Sequence, residues 1–363
     1  NVIIPNSVTS IGEEAFAGCV SLAQISIPDS VKQIGSRTFA GCSSLQNIAL
    51  GNGLSEIGTE AFADCEALKG IYFRSVNPPT VGENIFSGCP EDMIIYIYNN
   101  TGVNWGSTWQ GYPTQSWQYT TVELTKASAT VDSESGEVSF TLTFSDSILL
   151  EITDSTGFLS IPSFFTVKGK NYVVASIGKE AFKDCQALTG IVIPDSVSMI
   201  KDAAFRNCSS LINVTLGNGL ILIGNDAFKS CESLTEIHIP DSVFSIGIGA
   251  FMNCSSLRSV ALGNSLTQIG EEAFYHCTSL SEITLPDTCQ FIGEMAFADC
   301  RALTEIVLPS AITSIEPMTF ADCKSLNSIV IPDSVTSIGK WAFAFCESLT
   351  EIVIPDSVTE IGD

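Results

Sequence analysis

The chain has 363 residues, of which 45% are hydrophobic and only 15% charged, and this composition indicates a folded chain rather than a disordered one. Its formal net charge at pH 7 is −24, from 40 acidic and 16 basic residues, which argues against binding to nucleic acids and to anionic membrane surfaces. The sequence holds no apolar run of about 18 residues that could span a membrane and no visible signal peptide, and it begins and ends inside a repeat. We therefore expect a fragment whose export and anchoring signals lie outside it.

A single motif returns along the chain at a fixed period of 23 residues. A phenylalanine marks each copy, and Phe86, which comes 24 residues after Phe62, marks a copy with one residue inserted. A period between about 20 and 50 residues predicts a solenoid, in which each unit buries its apolar side against its neighbours. The other copies are marked by Phe16, Phe39, Phe182, Phe205, Phe228, Phe251, Phe274, Phe297, Phe320 and Phe343.

Each unit reads as three short elements. The first, as in residues 22–27, alternates apolar and polar residues like a half-buried strand and ends in a Pro-Asp-Ser or Gly-Asn turn. The second, as in residues 31–35, is a short extended piece closed by glycine. The third has the pattern Ala-Phe-x-x-Cys-x-x-Leu, whose three-residue spacing predicts a single helical turn. We therefore predict an α/β solenoid with a parallel sheet on its concave side and helical turns on the other side.

Twelve of the thirteen cysteines lie three residues after the repeat phenylalanine, which places one inward thiol in each unit. The thirteenth, Cys289, takes the place of valine in a Pro-Asp-Ser-Val turn and is also predicted to be buried. We interpret all of them as reduced thiols that pack as small apolar side chains. The alternatives are a few disulfides between adjacent units or a metal site, although no Cys-x-x-Cys motif supports zinc.

The period breaks once, between Cys89 and Ile177. Residues 93–98 read as the last strand of a first array of four units, and residues 99–120 form a segment rich in Gly, Ser, Asn and aromatic residues. The bulky aromatics predict a C-terminal cap that covers the apolar end of this array. The alternative is a platform on which a sugar or peptide stacks, formed by Trp105, Trp109, Tyr112 and Trp117.

From residue 121 the sequence changes to a β pattern. Residues 138–144 alternate apolar and polar side chains, and residues 164–175 read as a hairpin that leads into the next repeat. A segment of about 45 residues is small for an independent domain, so we assign it as the N-terminal cap of a second array. The predicted domains are therefore a first array (1–98), an aromatic C-cap (99–120), a β-rich N-cap (121–175) and a second array of eight units (176–363).

The repeat Ile-Pro-x-Ser-Val-x-x-Ile-Gly-x-x-Ala-Phe-x-x-Cys-x-Ser-Leu-x-x-Ile resembles the BspA-like class of bacterial leucine-rich repeats. The resemblance covers residues 1–98 and 161–363 and recurs twelve times. Tyr98 followed by Trp105 is similar to the usual end of an array in this family. The resemblance implies a right-handed leucine-rich-repeat superhelix in an exported or surface-displayed bacterial protein. It also implies adhesion to host proteins or to other bacteria, and it brings no catalytic motif.

Catalytic motifs are missing from the sequence. Of the two histidines, His238 falls on a predicted strand and His276 lies beside the inward Cys277. A Cys–His pair would require Cys277 to leave the core, and no phosphate loop, HExxH or GxSxG pattern is present. We predict that the protein is not an enzyme and that it has no cofactor and no metal site.

The outward positions of the predicted strands are the best candidates for binding. In the second array one outward column is acidic, the neighbouring column is small or apolar, and neither contains Lys or Arg. The alternative without a binding role is a solvated face whose carboxylates keep the solenoid soluble. A shared Ca²⁺ is a further possibility, but the spacing is not that of a calcium loop. The candidate partner-binding residues are Glu236, His238, Glu282, Thr284, Glu305 and Glu351.

Together these features predict a monomeric, non-enzymatic binding scaffold, extracellular or on the cell surface. Its concave sheet is expected to bind a host or bacterial surface protein with a basic and partly apolar surface. One alternative is a glycan-binding module that uses the aromatic segment, and another is a passive stalk that projects a different domain. We expect neither nucleic-acid binding nor membrane insertion.

Overall fold

The computed structural model describes residues 4, 8–75, 77–98, 105–117, 119–134, 138–154, 156–167 and 170–362, so that residues 99–104 of the predicted aromatic cap lie outside it. The chain divides into two compact units. The first comprises Asn1–Thr120 and Thr166–Asn171, and the second comprises Thr121–Phe165 and Tyr172–Asp363.

The first unit contains two parallel sheets built from equivalent strands of successive repeats. The strands of one sheet pair in register, so that Ile25, Ile48 and Ile71 are successive partners inside the core. These long strands are Gln24–Ile27, Asn47–Leu50, Gly70–Phe73 and Ile94–Tyr98. Beyond the repeats, Tyr112–Trp117 extends this sheet in parallel, and Thr108–Trp109 pairs antiparallel with it. The short strands of the other sheet are Ser10–Ile11, Gln33–Ile34, Glu56–Ile57 and Thr80–Val81.

The second unit repeats this arrangement over more turns, with its long strands in three hydrogen-bonded groups. The groups are Phe158–Ser160 with Gly190–Val192 and Asn213–Thr215, then Glu236–His238 with Ser259–Ala261 and Glu282–Ile283, then Glu305–Val307 with Ser328–Val330. The short strands are Met199–Ile200, Leu222–Ile223, Ser245–Ile246, Gln268–Ile269, Phe291–Ile292, Ser314–Ile315, Ser337–Ile338 and Glu360–Ile361.

The segment before the second array folds as β structure, as its alternating sequence predicts. Val138–Phe144 buries every second side chain and pairs antiparallel with both of its neighbours. Ser145–Ser147 forms a single 3₁₀ turn. The other strands of the segment are Tyr119–Val131, Leu149–Asp154, Phe164–Val167 and Lys170–Ile177, and the last of these pairs in parallel with the first short strand of the array.

The predicted helical turn around the repeat phenylalanine is wrong. In its place each unit has a run of turns in which two residues adopt left-handed backbone angles, such as Asp226 at φ 53° and Ser230 at φ 59°. The N–H groups of Asp226, Phe228 and Ser230 donate to carbonyls of the next unit at 2.7–2.8 Å. An α-helix would direct these N–H groups back along its own axis, so bonding between units excludes it. The part of the chain that the structure describes contains no α-helix.

The repeat phenylalanine and cysteine form two continuous columns through each array. Neighbouring Phe rings stack with centroids 4.9–5.8 Å apart. From the second unit of each array onwards, the Cys thiol donates to the backbone carbonyl of the Phe in the unit before it, at 3.0–3.3 Å. All thirteen cysteines are free thiols. The predicted inward position of the thiols is therefore confirmed.

Each Gly-Asn turn follows a Pro-Asp-Ser turn and fits closely over it. The backbone N–H of Asn52 donates to the Asp29 carboxylate of the preceding turn at 2.6 Å, and the corresponding bonds at Asn218 and Asn264 are 2.7 and 2.8 Å long. A Cβ added at Gly51 would lie 2.4 Å from the Pro28 carbonyl oxygen. A Gly-Asn turn therefore lies close against the preceding Pro-Asp-Ser turn, and a side chain at Gly51 would clash with that turn.

Gly51→Ala is expected to destabilise the first unit by about 1–3 kcal/mol, because the added methyl group forces the two turns apart. Gly12→Ala is the matched control, since a Cβ at Gly12 meets no atom within 4 Å, and it should change the free energy of unfolding by less than about 0.5 kcal/mol. Urea unfolding followed by circular dichroism measures both changes. Equal stability of the two variants would show that the close approach of the turns is unimportant.

Candidate functional site

The long strands of the second unit present two columns of side chains to solvent. Between these columns lie Ile237, Val260 and Ile283, which are buried and fix the side chains on either side of them as outward-facing. Parallel pairing places Glu236, Ser259 and Glu282 in one column, with His238 opposite Ala261 in the other. The six predicted partner-binding residues are all exposed.

Part of this face forms an open groove of about 820 Å³, here named the long-strand groove. It contains four of the six predicted residues, namely Glu236, His238, Glu282 and Thr284. No Lys or Arg lines it, so two carboxylates dominate the charge of its wall. The remaining lining residues are Asn213, Val214, Thr215, Ile237, Ser259, Val260, Ala261, Leu262, Asn264, Ile283 and Pro286.

Glu305 and Glu351 lie beyond the long-strand groove. The strand that carries Glu305 pairs with the strand of Ser328 in a separate group, so the acidic column is not one uninterrupted ladder. The neighbouring column in this region consists of exposed valines: Val307, Val330 and Val353 are 64%, 56% and 72% exposed.

The sequence prediction missed Asn264 and Pro286. Both lie in the turns that follow the long strands, at the end of the long-strand groove. Their position could have indicated them, because each residue comes only a few residues after an outward-facing position of its strand. Their turn chemistry was recognised, but their place beside a groove depends on how the chain leaves the sheet.

The long strands of the first unit carry a different surface. The rings of Tyr72 and Tyr96 stack at 4.5 Å, close to Gly70, where an added Cβ would lie 2.9 Å from the Tyr96 ring. Burial raises the pKa of Tyr72 to about 12. This pair therefore fills the space above the sheet with aromatic rings, whereas the second unit leaves an open acidic groove. The side chains of Gln24 and Ser26 lie outside the described residues.

The aromatic segment packs against the first array. Trp105 and Trp109 are only 4% and 9% exposed, and their rings contact Phe73 with centroids 4.7 and 5.1 Å apart. Tyr112 is half-buried, with its ring edge-on to Phe86 at 5.4 Å. This packing is that of a cap, and the two buried indoles offer no open face on which a sugar could stack. The side chain of Trp117 lies outside the described residues.

The second histidine is held by charged neighbours rather than by a nucleophile. The His276 Nδ1 contacts a carboxylate oxygen of Asp299, whose other oxygen contacts Nε of Arg301. The adjacent Cys277 thiol points into the core and donates to the Phe251 carbonyl at 3.2 Å. Burial raises the pKa of this thiol well above its usual value, so it is held in the protonated, unreactive form.

No group of three or more His, Cys, Asp or Glu side chains within the described ranges is arranged to hold a metal ion. Glu236 and Glu282 lie two strands apart, with Ser259 between them in the same column. Among the same described residues, no helix has the length and apolar character needed to span a membrane.

The BspA-type leucine-rich repeat region, in six copies, matches residues 1–104, 175–301 and 245–363. The chain belongs to this family. The leucine-rich-repeat solenoid predicted for this BspA-type protein is confirmed, and only its helical component is wrong. The right-handed sense of its superhelix stays a prediction.

Solved structures of other bacterial leucine-rich repeat proteins are similar to this BspA-type chain. The T. pallidum leucine-rich repeat protein TpLRR is 28% identical, with a TM-score of 0.45 over 53% of this chain and 92% of that chain. A leucine-rich repeat protein from Bacteroides ovatus is 24% identical, with a TM-score of 0.38 over 98% and 88%. A leucine-rich cell surface protein from Faecalibacterium prausnitzii is 25% identical, with a TM-score of 0.29 over 65% and 94%. No match was found among curated proteins.

Proposed function

We propose that this BspA-type chain is a non-enzymatic binding scaffold that recognises a protein partner through the long-strand groove of the second unit. The observation that carries the proposal is the groove itself. It is open, it contains Glu236 and Glu282, and no Lys or Arg lines it. Surface display and a monomeric state are parts of the same proposal. Surface display rests on membership of the family, and the monomeric state rests on self-repulsion at a net charge of −24.

The partner expected for this surface is basic and partly apolar. Carboxylates steer a basic partner towards the groove and fix its register, while apolar side chains supply contact area. The apolar portion comes from Ala261 inside the groove and from the exposed Val307 and Val330 beyond it. Glu305 and Glu351 extend the acidic column past the groove, so a longer partner would meet the same alternation of charge and apolar surface.

No catalytic role is proposed for the groove. A catalytic site needs convergent acid, base or nucleophilic groups. The groove contains one histidine, His238, and its hydroxyl groups come from Thr215, Ser259 and Thr284. The contacts of the other histidine, with Asp299 and Arg301, are those of a surface cluster outside the groove.

Removing the two groove carboxylates is expected to weaken partner binding several-fold and to reduce its dependence on salt. Glu236→Gln combined with Glu282→Gln removes two charges without a large change in shape, and exposed charge pairs contribute up to about 1 kcal/mol each. A partner is first selected by screening the purified chain against matrix proteins and a glycan panel at about 0.05 and about 0.5 M NaCl. Its affinity for the wild-type chain and for the double variant is then measured at both salt concentrations.

The matched control is Glu66→Gln combined with Glu232→Gln, which removes two exposed carboxylates from turns that follow the repeat cysteine. It should bind the partner like the wild-type chain. Equal weakening by the two double variants would mean that only net charge matters and would refute the assignment to the groove. A salt-insensitive glycan hit would favour the glycan-binding alternative, and a chain that binds nothing in the panel would favour the passive stalk.

A further inference from the structure

The short strands of the second unit carry an unusual set of outward residues. In most repeats the two residues before the buried isoleucine are polar, as in Thr313-Ser314 and Thr336-Ser337. In four of the five consecutive units between residues 198 and 291, at least one of these two positions is large and apolar. Comparison of equivalent positions in all repeats shows that this change is confined to one stretch of one face. The apolar residues are Met199, Ile221, Leu222, Phe244 and Phe291.

Two of these residues, Leu222 and Phe291, line a second groove of about 500 Å³, here named the short-strand groove. Leu222 and Phe291 lie at its two ends, on strands three steps apart, which corresponds to about 14 Å. Ile248 lines its side at a position that is polar in the preceding units, Asp202 and Asn225.

The apolar residues of this face are not part of the core. Ile221, Phe244, Ile248 and Phe291 are 44–48% exposed. The core of these repeats is formed instead by the inward isoleucine of each short strand, such as Ile246, which is 1% exposed. Exposed apolar side chains that cluster on one face mark an interaction surface more often than isolated ones do.

The charge around the short-strand groove has one sign. Asp202, Glu271, Glu294 and Glu316 line it, and no Lys or Arg does. In the part of the chain that the structure describes, none of these four carboxylates forms an ion pair with Lys or Arg. An acidic rim around apolar residues is complementary to a partner with basic residues beside an apolar stripe. A second copy of this chain and an anionic membrane would both be repelled.

The sheet also restricts the backbone conformation of the occupant. The strands Leu222–Ile223, Ser245–Ile246 and Gln268–Ile269 are each paired on both sides. Their backbone groups are already used, so an extended peptide that lies across these three strands cannot pair with them as another strand. A helix satisfies its own backbone hydrogen bonds and can lie across the strands, and about nine helical residues would span 14 Å.

We propose that the short-strand groove docks a basic amphipathic helix of a partner protein, with the apolar stripe of the helix on Leu222, Ile248 and Phe291 and its basic residues against Glu271 and Glu294. This docking site lies on a different row of strands from the long-strand groove. It therefore does not depend on the proposed function and adds a second recognition surface to the same scaffold.

The test uses the whole chain and a synthetic helical peptide of about 14 residues, with Leu at positions i, i+3, i+4, i+7 and i+11 and Lys at most others. A scrambled peptide of the same composition distributes the Leu residues around the helix. The structure predicts that the amphipathic peptide binds at least about tenfold more tightly than the scrambled one by calorimetry. Ile248→Ser combined with Phe291→Ser should remove this preference for the amphipathic peptide. Glu271→Gln combined with Glu294→Gln should lower the affinity for the peptide and make that affinity less dependent on salt.

Leu149→Ser combined with Phe345→Ser is the matched control, because it removes two exposed apolar side chains that line neither groove. It should leave the peptide affinity within about twofold of wild type. The proposal is overturned if the two peptides bind equally, or if Ile248→Ser with Phe291→Ser binds like the wild-type chain. It is also overturned if that variant instead abolishes a self-association seen by sedimentation, or abolishes binding to zwitterionic vesicles in the absence of peptide binding.

Discussion

Raising the pH from about 8 to about 11 is expected to unfold the repeat arrays, with release of protons from the column of cysteine thiols. Burial raises the pKa of Cys254 to about 12, and it raises the pKa values of Cys277 and Cys300 well above the usual value. In the unfolded chain the same thiols ionise near their ordinary pKa of about 8.5. Between these two limits Cys254, Cys277 and Cys300 carry thiolates only in the unfolded chain.

The sign of the effect follows from the raised pKa. Stability from the protonated thiols is fully present below about pH 8.5, and it is lost as the pH rises towards the folded-state pKa near 12, because the unfolded chain binds fewer protons. Each fully buried thiol then contributes a loss of about 1.4 kcal/mol per pH unit. Most of the column thiols are fully buried, so their combined effect exceeds the usual stability of about 5–15 kcal/mol within one or two pH units.

The alkaline transition is followed by far-ultraviolet circular dichroism and by thiolate absorbance in the same samples. Most of the thiolate absorbance should appear together with the loss of the circular dichroism signal, since thiols such as Cys254, Cys277 and Cys300 ionise only on unfolding. Cys254→Ala is the informative variant: it removes one titrating group and should reduce the slope of unfolding free energy against pH by about 1.4 kcal/mol per unit. Ionisation of most of the thiols in a folded chain, or a stability that stays constant from pH 8 to 11, would contradict buried thiol columns.

Phe251→Ala is expected to lower the free energy of unfolding of the second unit by about 3–5 kcal/mol. Its ring is fully buried and stacks between Phe228 and Phe274, with both centroids 5.3 Å away. Alanine removes contact with two neighbouring units at once and leaves a cavity in the column. Because each unit of a solenoid is stabilised by its neighbours, the repeats on either side should also become less cooperative.

Urea unfolding of Phe251→Ala is compared with that of Phe291→Ala, in which the replaced ring is 46% exposed and outside the column. The exposed replacement should cost less than about 1 kcal/mol. Phe251→Ala should lower the urea concentration at the unfolding midpoint strongly. It should also broaden the unfolding transition or divide it in two. Similar costs for the two replacements would show that stacking of the repeat phenylalanine is not the main source of stability.

The elements that stack between units could be predicted from the sequence. Alternation along each long strand and the 23-residue period together placed Ile25, Ile48 and Ile71 in one inward row, and the structure pairs them so. The Phe and Cys columns followed from the same period. When a side chain recurs once per unit, its inward or outward orientation is fixed, because every neighbouring unit imposes the same register.

The segment around the repeat phenylalanine could not be predicted in the same way. Inward residues three apart fit a helical turn, but they fit equally well a series of turns with two left-handed residues. Gly41 and Asn207 hint at the second of these positions, whereas Trp341 and Phe345 adopt φ 58° and 59° against the usual preference of bulky residues. Hydrogen bonds to the next unit decide the outcome, and residue preferences do not report them.

The candidate site was predicted in part. The outward columns gave the exposure of Glu236 and Glu282, but they gave no indication that the long strands separate into groups and leave Glu305 outside the groove. The aromatic segment allowed a cap or a platform. That choice depended on whether the indoles of Trp105 and Trp109 point into the array, which composition does not specify and the structure shows.

Carbodiimide cross-linking of the chain to a partner selected in the binding screen tests the central claim most directly. The reagent joins carboxylates to lysine amines in contact with them, and carboxylates occur throughout this acidic chain, so the position of each cross-link locates the partner. Binding through the long-strand groove predicts that mass spectrometry finds partner lysines joined to Glu236 and Glu282. Cross-links confined to carboxylates outside the groove, such as Glu66 and Glu232 in the turns after the repeat cysteine, would contradict it.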